Sequence, residues 1–158
     1  MRILACADLH GHPERVARVR ALVREHQPQV ILLPGDLTHA GRGEEALTLL
    51  HAFSLPVLAI PGNMDAAAAV VAMRRHGTLL EGDPRIIDGV AFGGPDVEVP
   101  CDVLVVHEPR LLACGHVHES PGVERVGDTL VVNCTMGDGK NGGALIEVTP
   151  AGVTAHLL

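Results

Sequence analysis

Seven polar residues stand just past the ends of apolar runs, and their types suggest metal chemistry. Asp8 and His10 follow the run 2–7, Asp36 comes after Gly35 and the run 29–33, and Asn63 comes after Gly62 and the run 56–60. His107 closes the run 103–106, and His116 and His118 follow Gly115. Two carboxylates, one carboxamide and four imidazoles mix hard oxygen with nitrogen donors. That set suits manganese, iron, zinc or nickel better than calcium or a thiolate-bound metal. Period-two alternation in an extended segment puts Asp8 beside His10, and His116 beside His118, on one side, so that each pair can aim into one site.

Elements that would bring these residues together are legible in the pattern. Strands over 2–7, 29–33 and 56–60 alternate with helices over 14–26, 43–53 and 66–76, the signature of βαβ units. In the first helix, Pro13 suits the first turn, Val16, Val19, Leu22 and Val23 share one face, and Arg15, Arg18 and Arg24 fall largely on the other. Asp65 is placed to cap the third helix and Gly77 to end it. The second half reads as a β-rich meander with strands over 85–92, 103–107, 111–114, 123–126, 129–132, 144–148 and 153–157. The expectation is an α/β fold in which two sheets pack face to face with helices outside, in a single domain over 1–158. Crevices in such sheets form at the carboxyl ends of strands, where the polar clusters sit.

Composition narrows the function classes. The 158 residues are 47% hydrophobic, enough for one real core. Two Phe and no Trp or Tyr come close to excluding a binder that stacks bases on aromatic rings. A formal charge of -7 is opposite to the footprint of a protein that grips phosphate backbones, so nucleic acid is disfavoured as a partner and any phosphate chemistry must bring its own cations. The apolar start is interrupted by Asp8, too early for a signal segment or a membrane span, and we expect a soluble cytoplasmic protein with no membrane partner. Cys6, Cys101, Cys114 and Cys134 show no CxxC spacing and read as reduced thiols.

The ordered blocks Asp8-Leu9-His10, Gly35-Asp36, Gly62-Asn63-Met64-Asp65, His107 and Gly115-His116-Val117-His118 resemble the calcineurin-like metallophosphoesterases over residues 1 to about 148, in particular the small bacterial and archaeal branch. The run to Val132 and Asn133 also fits that branch. The resemblance implies a four-layer α-β-β-α sandwich of two mixed sheets, shortened here in its second half. It implies two divalent metal ions, Mn²⁺ foremost with Fe, Zn or Ni as alternatives. One would be held by Asp8, His10, Asp36 and His118, the other by Asp36, Asn63, His107 and His116, with Asp36 bridging; Asp36, Asn63 and His10 would carry the catalysis. Such a pair lowers the pKa of bound water and neutralises phosphoryl oxygens. The implied function is hydrolysis of a small phosphodiester or phosphomonoester; the alternative is a scaffold for protein interaction with a vestigial site. Homo-oligomerisation is left open.

Two departures from the family pattern stand out. Met64 occupies a position where many relatives carry a His that assists the leaving group, and a thioether has no proton to give. Only residues 108–115 separate His107 from His116, fewer than the roughly dozen a parallel crossover needs, so either the sheet is rebuilt there or the second metal site is distorted. His12 and His39 lie just beyond the ligand-bearing loops, as phosphate-facing groups or as surface histidines; His26, His51, His76 and His156 are assigned no role.

Overall fold

In the computed structural model, residues 1–40, 43–94, 109–140 and 142–158 are described. The apolar runs of the first half form β1 (Arg2–Ala5), β2 (Val30–Pro34) and β3 (Val57–Ile60), which are parallel neighbours in that order. Their connections run through α1 (Pro13–His26) and through α2 (Glu44–Leu47) with a 3₁₀ turn over Thr48–Leu50. α3 (Ala67–Arg75) follows β3. Strands stepping in one direction with helical crossovers place the helices on one face. Leu4, Cys6, Ile31, Leu33, Val57 and Ala59 turn to that face, where they pack with Val16, Val19 and Leu22 of α1, with Leu49 and with Met73 of α3.

The opposite faces of the same strands, through Ile3, Ala5, Val30, Leu32 and Leu58, meet the second half of the chain. That half comprises β4 (Arg85–Ile87), β5 (Val90–Phe92), β6 (Leu111–Cys114), β7 (Gly122–Val126), β8 (Thr129–Asn133), β9 (Ala144–Thr149) and β10 (Gly152–Leu157). β9 and β10 add antiparallel strands beside β1, giving the five-stranded order β10-β9-β1-β2-β3. β6, β8 and β7 make a three-stranded sheet in which β6 and β8 are parallel and β7 is antiparallel; β4 and β5 form a hairpin. Phe92, Leu130 and Val132 close the core between the sheets. Buried on both faces, β1 to β3 read as continuous apolar runs. The expected α/β class with two mixed sheets is therefore present.

Three local differences have physical causes. The second helix, expected over 43–53, winds into a 3₁₀ turn from Thr48, whose hydroxyl donates to the Glu45 carbonyl at 2.6 Å and tightens the turn. The strand expected over 85–92 is a hairpin, because Asp88 and Gly89 both take left-handed backbone (φ 47° and 78°) and reverse the chain. Asp65 does not cap α3, whose N-cap is Ala66 without a side-chain bond. The expected strand over 103–107, with His107, lies outside the described residues. No helix among the described residues is long and apolar enough to cross a membrane.

Cys6, Cys114 and Cys134 are free thiols, as their spacing suggested; Cys101 lies outside the described residues. Burial pushes the Cys6 thiol up to about 12 and the Cys134 thiol well above its ordinary value. Both should resist a thiol reagent at pH 8 in the native protein and react after unfolding. Ellman titration before and after denaturant checks this, and immediate native reaction of either would contradict the packing.

Candidate metal centre

Register brings the site together. Ala5, Pro34 and Ile60 end β1, β2 and β3 along one edge of the sheet, and the segments bearing Asp8, Asp36 and Asn63 leave from it. A parallel bridge pairs Ala7 with Thr135, flanked by Ala7 N–H to the Cys134 carbonyl at 3.1 Å and Met136 N–H to the Ala7 carbonyl at 3.0 Å. This lacing joins the end of β1 to the end of β8, and β8 pairs with β6, from which His116 and His118 emerge. The two sheets thus meet where the site residues leave them.

The loops are bent, not extended. Asp8, His10, Asp36 and His116 all have left-handed backbone, with φ of 59°, 50°, 50° and 73°. Strand alternation therefore does not aim these side chains, contrary to the expectation; the turns do. Such conformations cost of order 1–3 kcal/mol each for non-glycine residues, and strain of this kind clusters at functional sites. Neighbouring loops hold it in place through His10 N–H to the Asp36 carbonyl (2.9 Å), Asp8 N–H to the Gly35 carbonyl (3.2 Å) and Gly11 N–H to the Leu37 carbonyl (3.0 Å).

Asp8, His10 and His118 offer donor atoms that all lie within 4.8 Å of one another. The Nε2 atoms of His10 and His118 face each other at 3.3 Å, His118 Nε2 lies 3.7 Å from Asp8 Oδ1, and His10 Nε2 lies 4.0 Å from Asp36 Oδ2. Asp8 and Asp36 are 1% and 4% exposed. Asp8 accepts the His116 N–H through both oxygens (3.1 and 2.9 Å), and Asp36 Oδ1 accepts the Met64 N–H at 2.8 Å. Among the described residues no Lys or Arg forms an ion pair with either carboxylate. Arg15 comes close but spends its guanidinium on the carbonyls of Asp8 (2.7 Å) and Gly137 (3.3 Å). Buried charge of this sort is normally paired or bound to metal. Burial also holds the His10 imidazole below its ordinary value, against the pull of Asp36 and Asp8, which favours the neutral form that ligates. His10 Nδ1 is buried without a hydrogen-bond partner among the described residues. The donor set, the uncompensated carboxylates and the neutral imidazole all fit a divalent cation.

The other expected residues divide. Asn63 is exposed on the loop after β3, between Gly62 and Met64, whose main chain abuts Asp36. His116 is exposed and contributes its N–H to Asp8. His107 lies outside the described residues. His39 is exposed with its ring 5.7 Å from that of His10, edge to face, whereas His12 turns away to Glu14 at 3.1 Å.

Supporting residues escaped the sequence reading. Asp65, expected as a cap, accepts from Leu37 N–H (3.1 Å), Gly62 N–H (3.0 Å), and Thr38 through its N–H (2.7 Å) and hydroxyl (2.8 Å). It binds the Asp36 loop to the Asn63 loop. Arg15, assigned to the solvent face of α1, reaches into the site. Asn133 donates its amide hydrogens to the carbonyls of Val117 (2.8 Å) and Ser120 (2.9 Å), tying down the turn that carries His118. Glycines make room for the two carboxylates: a Cβ on Gly62 would strike the Asp36 carboxylate, and one on Gly115 would lie 2.7 Å from Asp8 Oδ2. The Gly-Asn and Gly-His pairs were the signal for these two.

A family model described as calcineurin-like phosphoesterase matches residues 1–86. The chain is 24% identical to an uncharacterized protein of Methanocaldococcus jannaschii over 196 positions, covering 84% of this chain and 87% of that one. Its fold is similar to that of an archaeal phosphodiesterase, with a TM-score of 0.72 at 16% identity and 100% of both chains covered. Yfce, a phosphoesterase from E. coli, gives 0.59 at 19% identity over 92% of this chain and 87% of that one.

Proposed function

The chain belongs to the calcineurin-like phosphoesterase family, and on that premise we propose that it hydrolyses a small phosphate ester, a phosphodiester or phosphomonoester, at a centre of two divalent metal ions. The observation that carries this reading is the convergence of Asp8, His10 and His118, with buried Asp36 beside His10, where neither carboxylate forms an ion pair with a Lys or Arg among the described residues. Asp8, His10, Asp36 and His118 would hold one ion; Asp36, Asn63, His107 and His116 would hold the other. Bound there, divalent ions supply Lewis acidity and an activated water near neutral pH, manganese being the first candidate.

The chain's own residues prepare the site. Asp36, fixed by the Met64 N–H, keeps one carboxylate oxygen toward His10. Asp8, fixed by the His116 N–H, presents its carboxylate to His118. Met64 cannot donate a proton to the departing alcohol, so esters with acidic leaving groups should turn over best. Site residues are drawn from both halves of the chain and β1 is flanked by β2 and β9, which supports treating 1–158 as one domain.

The test is hydrolysis of bis-p-nitrophenyl phosphate and p-nitrophenyl phosphate with added Mn²⁺, together with metal analysis of the purified protein. Turnover that disappears with EDTA and returns with Mn²⁺ is the expected result. No turnover of either ester and less than one metal per chain would defeat the proposal and favour the scaffold alternative.

A further inference from the structure

Gly137 lies in the segment after β8 and has no part in the ordered blocks of polar residues. A Cβ built on it would run into the His118 ring, meeting Cγ and Cδ2 and lying 2.6 Å from Nδ1. Its φ is not in the left-handed region, and the three heavy atoms nearest to the added Cβ all belong to the imidazole. The glycine cannot retreat. Its carbonyl accepts from Arg15 at 3.3 Å, its N–H donates to the Thr135 hydroxyl at 3.0 Å, and the preceding Met136 N–H is bonded to the Ala7 carbonyl at 3.0 Å. The turn carrying His118 is also held, by the two bonds from Asn133. With both backbones pinned, a methyl group at 137 must displace the His118 side chain by a change about its Cα–Cβ bond, because the close contact includes Cγ, which ring rotation alone leaves in place.

We infer that Gly137 is a positioning residue for His118: the missing side chain leaves the space in which the ring lies when its Nε2 faces His10 and Asp8. The consequence for metal binding rests on the reading given under Proposed function, but the consequence for the ring does not. Supporting groups around metal ligands typically change affinity 10- to 100-fold.

The experiment uses metal-free full-length protein, titrated with Mn²⁺ by calorimetry, with the His118 imidazole followed by NMR and assigned by its loss in His118→Ala. Gly137→Ala should move the His118 resonance, weaken Mn²⁺ binding about tenfold or more, and leave the metal-free melting temperature within about 2 °C. In a His118→Ala background the same substitution should have no further effect on Mn²⁺ binding, because the two residues act through one contact. Unchanged His118 resonance and Mn²⁺ affinity would overturn the inference, as would an equal loss of affinity in the His118→Ala background. If the wild type binds no Mn²⁺, the metal-centre reading fails while the resonance still decides the role of Gly137. If Gly137→Ala alone does not fold, refolding of the double variant supports a clash at His118, and its failure to fold overturns it.

Discussion

Asp36→Asn is expected to abolish Mn²⁺-dependent ester hydrolysis, lowering kcat/KM by about 10³-fold or more, roughly 4 kcal/mol of transition-state stabilisation, while the protein stays folded. The substitution is nearly isosteric, and Asn can still accept the Met64 N–H that Asp36 Oδ1 accepts at 2.8 Å. Ala would leave that donor unpaired, at about 1–3 kcal/mol, and would confuse loss of chemistry with loss of fold. What Asn removes is charge. Asp36 is 4% exposed and lies close to His10, so its negative charge is available to a cation and to little else. Metal content should fall with activity, and the metal-free melting temperature should stay close to wild type because a desolvated carboxylate has been lost. Metal analysis, a nitrophenyl ester assay and thermal denaturation read the three quantities. Undiminished turnover would refute the place given to Asp36.

Asp65→Ala should produce the larger loss of stability, about 3 kcal/mol, or a melting temperature lower by roughly 6–12 °C for a chain of this size. One carboxylate accepts three backbone N–H groups and a hydroxyl from two loops, and Ala leaves all four to find water at a half-buried site. Because those loops carry Asp36 and Asn63, Mn²⁺ affinity should fall as well, although Asp65 lies outside the proposed ligand sets. Asp65→Asn retains one acceptor oxygen and should lose about half as much. Thermal denaturation of the metal-free variants isolates the stability effect, and a drop under about 2 °C for the Ala variant would show that water replaces the carboxylate without cost.

Residue pattern alone was a good guide to the frame. The helix over Pro13–His26, with Val16, Val19, Leu22 and Val23 buried, follows from period 3.6 and a proline start. The parallel strands were visible because burial on both faces makes them continuously apolar. The grouping of Asp8, His10 and His118, with Asp36 beside His10, was legible by residue type and by position after strand runs. The manner of their aiming was not. Alternation holds only while the backbone is extended, and Asp8, His10, Asp36 and His116 adopt φ near 50–73° because loop-to-loop bonds hold them there.

The supporting residues were hidden for a related reason. Asp65 beside a helix start reads as a cap, and Arg15 opposite a row of valines reads as solvated; both readings use only local neighbours. Asp65 bonds residues 27 and 28 positions away, Arg15 a carbonyl 122 positions away, and Gly137 matters because of a ring 19 positions earlier. Sequence determined which polar residue types stand at the strand ends, since residue type and strand-end placement are properties of single residues and their immediate neighbours. Tertiary structure decided which atoms face one another, because steric room and hydrogen-bond partners are supplied by segments that meet only when the two sheets pack.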